Sequence, residues 1–223
     1  MYRFFDLFFA LLILPFFLVS YIVLYFVFKA KYPEEKLIFK QARTGLNSEM
    51  FNIYKFTTIP KNSKPVVYHK SKNLFELDIF MQFLRDYKID ELPQVVNLFL
   101  GDLSMVGPRP YQKFELEQSC FKNIILSVKP GLTGLWQSRY SSYIYHSKKF
   151  WLDSIMIKNM SFKMYFFCIF KTTLNVLKIT KIKYSQSNVA LIKRYTMLQK
   201  NNVVQFVDVK QKNLAKEQIK KAS

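Results

Sequence analysis

The chain has 223 residues, a formal net charge of +19 and an apolar fraction of 50%. This length fits one domain, or one domain with a membrane element, and the joint excess of basic and apolar residues indicates an anionic membrane surface or phosphate-bearing substrates. Nucleic-acid binding is the competing interpretation, which the concentration of apolar residues in one segment disfavours. Cys120 and Cys168 lie far apart, and their spacing supports neither a disulfide framework nor a zinc site.

An uncharged, strongly apolar segment, Leu7 to Phe28, lies near the start of the sequence and is long enough to cross a bilayer. Lys29, Lys31 and Lys36 follow it, and cations in that position favour a cytoplasmic C-terminal side. Pro15 predicts a kink, because proline removes a backbone hydrogen bond and clashes with the preceding turn. The helix therefore either spans the membrane or enters it, bends and returns to the same face, and both geometries stay open.

Short strands and then helices are predicted after this segment. A turn at Gly45–Ser48 separates two strand-like segments, Leu37–Phe39 and Phe51–Ile59, and a basic loop covers residues 60–73. Apolar residues then recur at helical spacing. Helices are predicted over Leu74–Tyr87, from Asp90 to Gly101, over Tyr111–Val128 and over Phe150–Ile179.

The last of these helical segments, Phe150–Ile179, combines apolar and aromatic residues with spaced lysines. This pattern predicts one or two amphipathic helices in the membrane interface. A turn-rich loop, Lys129–Gly134, precedes them, and its glycines allow either a positive φ or a close approach to the backbone. The C-terminal residues 181–223 are rich in lysine, glutamine and asparagine, which predicts a weakly ordered basic tail.

Two adjacent carboxylates, Asp90 and Glu91, begin the second predicted helix. Asp90 is expected at the N-cap, with Pro93 in the first turn and Gly101 as the C-terminal cap. The expected apolar face of this helix consists of Leu92, Val95, Val96 and Phe99.

The acid pair alone also fits an ordinary helix cap, so its surroundings decide the interpretation. Arg85 precedes the pair, and Arg109 follows it between Pro108 and Pro110. The prolines restrict the backbone around the arginine, which lowers the entropy lost when it binds phosphate. One acid of such a pair can attack phosphorus or hold a metal, which predicts a phosphoryl-transfer site.

Several motifs, in matching order from Arg3 to about Lys178, closely resemble those of the bacterial sugar transferase family. They are RFFD at 3–6, FKQARTG at 39–45, FNIYKFTTI at 51–59, LRDYKIDELPQ at 84–94 followed by GDLSMVGPRP at 101–110, and VKPGLTGLWQ at 128–137. Members of this family are monotopic phosphoglycosyl transferases, which load a sugar 1-phosphate onto a polyprenyl phosphate.

The resemblance implies a mostly helical α+β fold on the cytoplasmic face of the bacterial inner membrane. Residues 1–30 would form a kinked, re-entrant membrane helix. Residues 31–180 would form the catalytic domain with interfacial helices, and residues 181–223 the tail. The implied partners are a nucleotide sugar, polyprenyl phosphate and inner-membrane phospholipids, with no nucleic acid; a homo-oligomer stays open.

The resemblance also implies roles for individual residues. Asp90 would attack the β-phosphorus of a nucleoside diphosphate sugar, with a UDP-sugar as the expected donor, and Glu91 would hold Mg²⁺. A phosphosugar–aspartyl intermediate would then pass to the lipid. The implied substrate-binding residues are Arg43, Lys55, Arg85, Pro108, Arg109, Pro110, Thr133 and Gln137.

Two departures from the family pattern support a second hypothesis. Thr57 stands where the family usually carries a cation, and SRYSS at 138–142 replaces its usual segment after Gln137. The chain could accordingly be an inactive, membrane-bound relative that serves as a scaffold for glycan enzymes.

Overall fold

The N-terminal apolar segment forms one long helix, α1, Arg3–Lys31, whose helical backbone continues through Pro15. The computed structural model describes residues 2–59, 78–117, 119–139 and 146–177. Within these ranges α1 is the one helix that is long and apolar enough to cross a membrane. Its outer face exposes large apolar side chains, among them Leu11, Phe16 and Phe26. The kink and the choice between spanning and re-entry stay predictions.

The inner face of α1 is held by a buried carboxylate. Asp6 is 4% exposed, and its Oδ1 accepts three hydrogen bonds. The donors are Ser104 Oγ at 2.9 Å, Met105 N at 2.7 Å and the Tyr165 hydroxyl at 2.7 Å. A buried carboxylate is stable only when such donors replace its lost hydration. The charge on Asp6 therefore joins α1 to two distant parts of the chain.

Arg3 makes a second attachment one turn earlier in α1. Its guanidinium donates to Leu98 O at 2.5 Å and to Phe99 O at 2.9 Å, at the C-terminus of α3, Val95–Leu100. The last carbonyls of a helix lack intrahelical partners and carry partial negative charge, so a cation there is stabilising. Gly101 ends α3 with φ of 85°, which confirms the predicted glycine cap.

The predicted strands form an antiparallel hairpin. β1, Ile38–Thr44, pairs with β2, Met50–Phe56, and Gln41 lies opposite Ile53. A 3₁₀ turn at Leu46–Ser48 joins them, which confirms the predicted turn.

A buried amide fastens α3 to this hairpin. Asn97 is fully buried; its Oδ1 accepts from Tyr54 N at 3.2 Å, and its Nδ2 donates to Asn52 O at 2.8 Å and to Asp102 Oδ2 at 3.0 Å. Every polar atom of the side chain is thereby satisfied, as a buried amide requires. The contact fixes β2 beside the segment that carries the acid pair.

A second, parallel pair of strands was not predicted. β3, Ser104–Val106, pairs with β4, Gly131–Thr133, which lies inside the segment that the sequence predicted as a loop. Each strand has three residues, too few to show the alternation from which strands are recognised.

The other helices are short except near the end of the described chain. Residues 111–128 were predicted as one helix, and this prediction is wrong. They form α4, Lys113–Glu117, and α5, Lys122–Leu126, because the chain turns at Ser119, whose hydroxyl accepts from Phe121 N at 3.1 Å. The remaining helices are α2, Ile79–Asp86, α6, Leu135–Arg139, α7, His146–Lys158, and α8, Phe162–Val176.

The segment predicted as one or two helices forms two, α7 and α8, and their position in the membrane interface stays a prediction. Ser161 caps α8 by accepting from Met164 N at 3.3 Å. The main core lies where α1, α3 and the last three helices meet, around Leu98, Trp136 and Met156. The mostly helical α+β class is confirmed, while the segment boundaries at 30 and 180 stay predictions. The basic loop at 60–73 and the tail at 181–223 lie outside the described residues.

We expect Asp6→Leu to destabilise the protein by about 3 kcal/mol or more, because three donors lose a charged acceptor and stay buried. Asp6→Asn keeps an acceptor oxygen and should cost less, and Ser104→Ala removes one donor only. Urea unfolding of the detergent-solubilised variants gives the three free energies. Equal stability of Asp6→Leu and wild type would show that this carboxylate does not hold α1.

Candidate active site

The acid pair lies in a 3₁₀ helix, Ile89–Gln94, that leads directly into α3. Lys88 precedes it in the left-handed region with φ of 59°, and Glu91 N donates to Lys88 O at 3.1 Å. The prediction of Asp90 as an N-cap is therefore wrong, because Asp90 lies inside the 3₁₀ helix and Lys88 occupies the N-cap position. The Asp90 side chain caps no helix, and its Oδ1 is buried without a hydrogen-bond partner among the described residues.

The same tight turn changes which side chains of α3 are buried. The predicted apolar face included Val96 and Phe99, but these are 37% and 39% exposed, while Val95 and Leu98 are buried. A 3₁₀ helix has three residues per turn, whereas an α-helix has 3.6. A prediction that treats the segment from residue 90 as one α-helix therefore assigns the wrong side chains to the buried face.

Asp90 and Glu91 have opposite electrostatic environments. Burial, and secondarily the charge of Glu91, raises the pKa of Asp90 to about 6. Burial also acts to raise the pKa of Glu91, but Lys55 and Lys88 outweigh it and hold that pKa well below its usual range. Lys55 Nζ lies 2.9 Å from Glu91 Oε1, and Lys88 Nζ lies 3.9 Å from it. Two neighbouring acids with pKa values driven apart are typical of catalytic pairs.

Two arginines act on this pair from other elements. Arg109 follows β3 between the buried Pro108 and Pro110, and its charge contributes to the lowered pKa of Glu91. The charge of Arg85, on α2, acts to lower the pKa of Asp90, but burial and the charge of Glu91 outweigh it. The structure thus brings the acids together with Lys55 of β2 and with these two arginines.

Arg43, on β1, extends the basic region. It is 8% exposed, donates to Gln41 Oε1 at 2.6 Å and lies 3.5 Å from Glu115 Oε2. Burial and the nearby charge of Arg109 lower the pKa of its guanidinium. Like charges held this close repel unless an anion lies between them.

Close contacts between glycines position the Arg109 loop against β4. Gly107 N donates to Thr133 O at 2.9 Å, and Gly131 N donates to Pro108 O at 2.8 Å. A Cβ on Gly131 would lie 2.0 Å from Gly107 N, and a Cβ on Gly134 would lie 2.5 Å from Gly107 O. Of the two explanations for these glycines, close backbone approach is therefore the correct one.

The remaining predicted site residues lie beneath this loop. Thr133 is 3% exposed, and its Oγ1 lies 2.6 Å from Thr172 Oγ1 on α8. Gln137, on α6, has a buried Oε1 with no hydrogen-bond partner within the described ranges. Their substrate-binding roles stay predictions.

Thr57, where the family usually carries a cation, has a structural role in this chain. It is 8% exposed, its hydroxyl donates to Lys36 O at 2.5 Å, and its N–H donates to Leu37 O at 2.9 Å. The side chain thus fixes the end of the hairpin to the segment after α1.

A divalent cation would have few protein ligands at this site. The described residues contain no group of three or more histidine, cysteine, aspartate or glutamate side chains that could enclose a metal. Mg²⁺ commonly binds through one or two carboxylates together with substrate phosphates. Glu91, beside the unpartnered Asp90 Oδ1, fits that mode.

The family model described as Bacterial sugar transferase matches residues 1–179. This chain belongs to the bacterial sugar transferase family. The match confirms the resemblance found in the sequence motifs and covers all the residues of the candidate site.

Three curated proteins are similar to this sugar transferase. The undecaprenyl-phosphate galactose phosphotransferase of Salmonella typhimurium is 31% identical over 193 residues, which are 79% of this chain and 40% of the relative. The UDP-galactose-lipid carrier transferase of Erwinia amylovora has the same identity and coverage. The UDP-glucose:undecaprenyl-phosphate glucose-1-phosphate transferase of Klebsiella pneumoniae is 32% identical over 154 residues, 62% of this chain and 33% of that relative. The chain spans less than half the length of each.

Asp153, on α7, contacts the Arg109 loop and was not among the predicted site residues. It is fully buried, and its Oδ2 accepts from the Tyr111 hydroxyl at 2.8 Å and from Arg109 N at 3.3 Å. It therefore orients the backbone of the loop that carries Arg109. A single acid within an apolar helix, as in WLDSIM, is the signal that could have indicated it.

We expect Gly131→Ala to cost about 3 kcal/mol or more and about 100-fold in turnover, because the new methyl group must push the Arg109 loop away from β4. Gly45→Ala is the control, since its Cβ would lie 3.2 Å from an atom of the Phe51 ring. Urea unfolding and steady-state kinetics measure the two effects. Wild-type stability and turnover in Gly131→Ala would refute the close-approach explanation.

We expect the stability of Asp153→Asn relative to wild type to depend on pH. Burial raises the pKa of Asp153 from 3.8 to about 7, so its contribution to stability is fully present below about pH 4 and is lost as pH rises through 7. The amide does not titrate, and the variant should gain about 2 kcal/mol on wild type between pH 5 and pH 8. Urea unfolding at several pH values tests this, and a constant difference would contradict it.

Proposed function

We propose that this sugar transferase moves a sugar 1-phosphate from a nucleoside diphosphate sugar, with a UDP-sugar as the expected donor, to polyprenyl phosphate. The observation that carries the proposal is the buried, unpartnered carboxylate oxygen of Asp90 beside a glutamate held by lysines. The names of the relatives, which include a UDP-glucose:undecaprenyl-phosphate glucose-1-phosphate transferase, support the substrate classes.

The reaction proceeds in two displacements at the same phosphorus. Asp90 Oδ attacks the β-phosphorus, the bond from that phosphorus to the bridging oxygen breaks, and the nucleoside monophosphate leaves with the bonding electrons. A phosphate oxygen of the lipid then attacks the phosphosugar–aspartyl intermediate. The bond between phosphorus and Asp90 breaks, which restores the carboxylate and yields the lipid-linked diphosphate sugar.

The surrounding residues act by position and charge. Lys55 Nζ lies 2.9 Å from Glu91 Oε1 and holds this carboxylate in place. Arg109 and Arg85 supply positive charge to the acid pair, where the phosphate is transferred. Mg²⁺ bound at Glu91 would neutralise the negative charge of the diphosphate. With its pKa raised to about 6, Asp90 is mostly ionised at neutral pH yet poorly hydrated, and both properties favour attack.

A covalent intermediate also suits the two substrates. The donor is small and soluble, whereas the acceptor is a long lipid, and sequential displacements avoid holding both at once. The exposed apolar face of α1 and the positive charge of the chain support a location on the cytoplasmic face of the inner membrane, in contact with its anionic phospholipids. The product would begin a glycan or polysaccharide.

The hypothesis of an inactive scaffold is weakened by Thr57. Its hydroxyl and N–H hold the backbone of Lys36 and Leu37, so the residue is explained without loss of catalysis. The segment SRYSS extends beyond the described residues at position 140, and it stays the remaining argument for that hypothesis.

We expect Asp90→Asn to lower donor-dependent UMP release at least roughly 1,000-fold, because the amide cannot form the aspartyl intermediate. The assay uses detergent-solubilised protein, Mg²⁺, polyprenyl phosphate and a panel of UDP-sugars that includes UDP-galactose and UDP-glucose. Asp86→Asn, an exposed acid on α2, is the matched control and should keep wild-type rates. Full turnover in Asp90→Asn would refute the nucleophile, and no UMP release by wild type from any donor would favour the scaffold.

A further inference from the structure

Beyond the acid pair, two cations converge on one aromatic ring. Trp136, on α6, is 4% exposed, and its ring centre lies 5.8 Å from Arg109 Cζ and 4.9 Å from Lys149 Nζ. Lys149 belongs to α7 and Arg109 to the loop after β3, so the two charges come from separate elements and both contact the indole. The face of an indole attracts cations, and it fixes the position of both side chains.

The neighbouring acids are already engaged. Glu115 lies 3.5 Å from Arg43 and accepts from Gln112 N at 2.7 Å. Asp153 accepts from the Tyr111 hydroxyl and from a backbone N–H. Within the described parts of the chain, no ion pair joins Arg109 or Lys149 to a carboxylate.

This arrangement is costly for the protein alone. Lys149 is partly buried, and both burial and the charge of Arg109 lower the pKa of its ammonium group. The two cations are attracted to the ring of Trp136 but repel each other. Two fixed like charges at the edge of a site become favourable when a polyanion lies between them.

We propose that Lys149 is a further substrate-binding residue, which forms with Arg109 a second phosphate position at Trp136. The proposal rests on the proposed function. The occupant is a phosphate group, either the second phosphate of the donor or the phosphate of the lipid acceptor.

The chemistry of lysine suits this position. Its ammonium group is a compact point charge that binds phosphate without a required plane, unlike the fork of an arginine. Because the ammonium group already lies against the indole, less side-chain freedom is lost when phosphate binds. The partial exposure of Lys149 and Arg109 lets a soluble or lipid-borne phosphate reach both.

The test compares three variants of the full-length protein. Lys149→Met removes the charge and keeps an unbranched chain, Lys149→Arg restores a charge, and Lys158→Met is the control on the exposed side of α7. We measure kcat and KM for the UDP-sugar at saturating lipid and for polyprenyl phosphate at saturating donor. Calorimetric binding of UDP with Mg²⁺ adds a measurement that needs no turnover.

We expect Lys149→Met to raise one KM about tenfold with a change in kcat below about threefold, since one charge-assisted contact is lost. A raised donor KM with about tenfold weaker UDP binding identifies the donor phosphate. A raised KM for the lipid alone identifies the acceptor phosphate. Lys149→Arg should recover to within about threefold of wild type, and Lys158→Met should be unchanged.

Unchanged KM values and UDP affinity in Lys149→Met, with lower thermal stability, would overturn the proposal and assign Lys149 to packing against Trp136. If wild type binds UDP but releases no UMP from any donor, the proposed function fails while UDP binding to the variants still tests Lys149. If wild type neither binds UDP nor turns over, both are overturned.

Discussion

The carboxylate of Asp6 connects α1, the helix that is long and apolar enough to cross a membrane, to the strand that leads into the candidate active site. Its single oxygen Oδ1 binds β3 through Met105 N and binds α8 through the Tyr165 hydroxyl. β3 runs directly into the loop that carries Arg109, so one buried charge connects α1 to a predicted phosphate-binding side chain. In a protein whose acceptor is a lipid, this connection would keep the reacting groups at a constant distance from the membrane surface.

The site itself depends on keeping two adjacent acids different. Lysines hold Glu91 ionised, while burial leaves Asp90 with a raised pKa and a carboxylate oxygen that has no hydrogen-bond partner among the residues that the structure describes. The 3₁₀ turn makes this possible, because the side-chain oxygen of an aspartate at a helix N-cap would accept a hydrogen bond from a backbone N–H. The buried amide of Asn97 then holds β2, with its lysine, against the same turn.

Whether the sequence could predict a feature depends on how far apart along the chain the interacting residues lie. The hairpin, the glycine cap and the acid and arginine motifs are local, and they could be predicted because neighbouring residues carry the signal. The parallel pair of β3 and β4 and the contact of Gly131 with Gly107 join distant segments of three residues, which leave no periodic pattern. Lys149 was missed for the same reason: in the sequence it is one lysine among many, and only the fold brings it to Trp136 beside Arg109.

The central claim is that Asp90 becomes covalently bonded to the sugar phosphate. The most direct measurement is mass spectrometry of the protein incubated with Mg²⁺ and its UDP-sugar donor, without lipid, followed by peptide mapping. The account predicts an added sugar phosphate on the peptide that contains Asp90, its loss when polyprenyl phosphate is added, and its absence from Asp90→Asn. Turnover without such an adduct, or an adduct on another residue, would contradict the account.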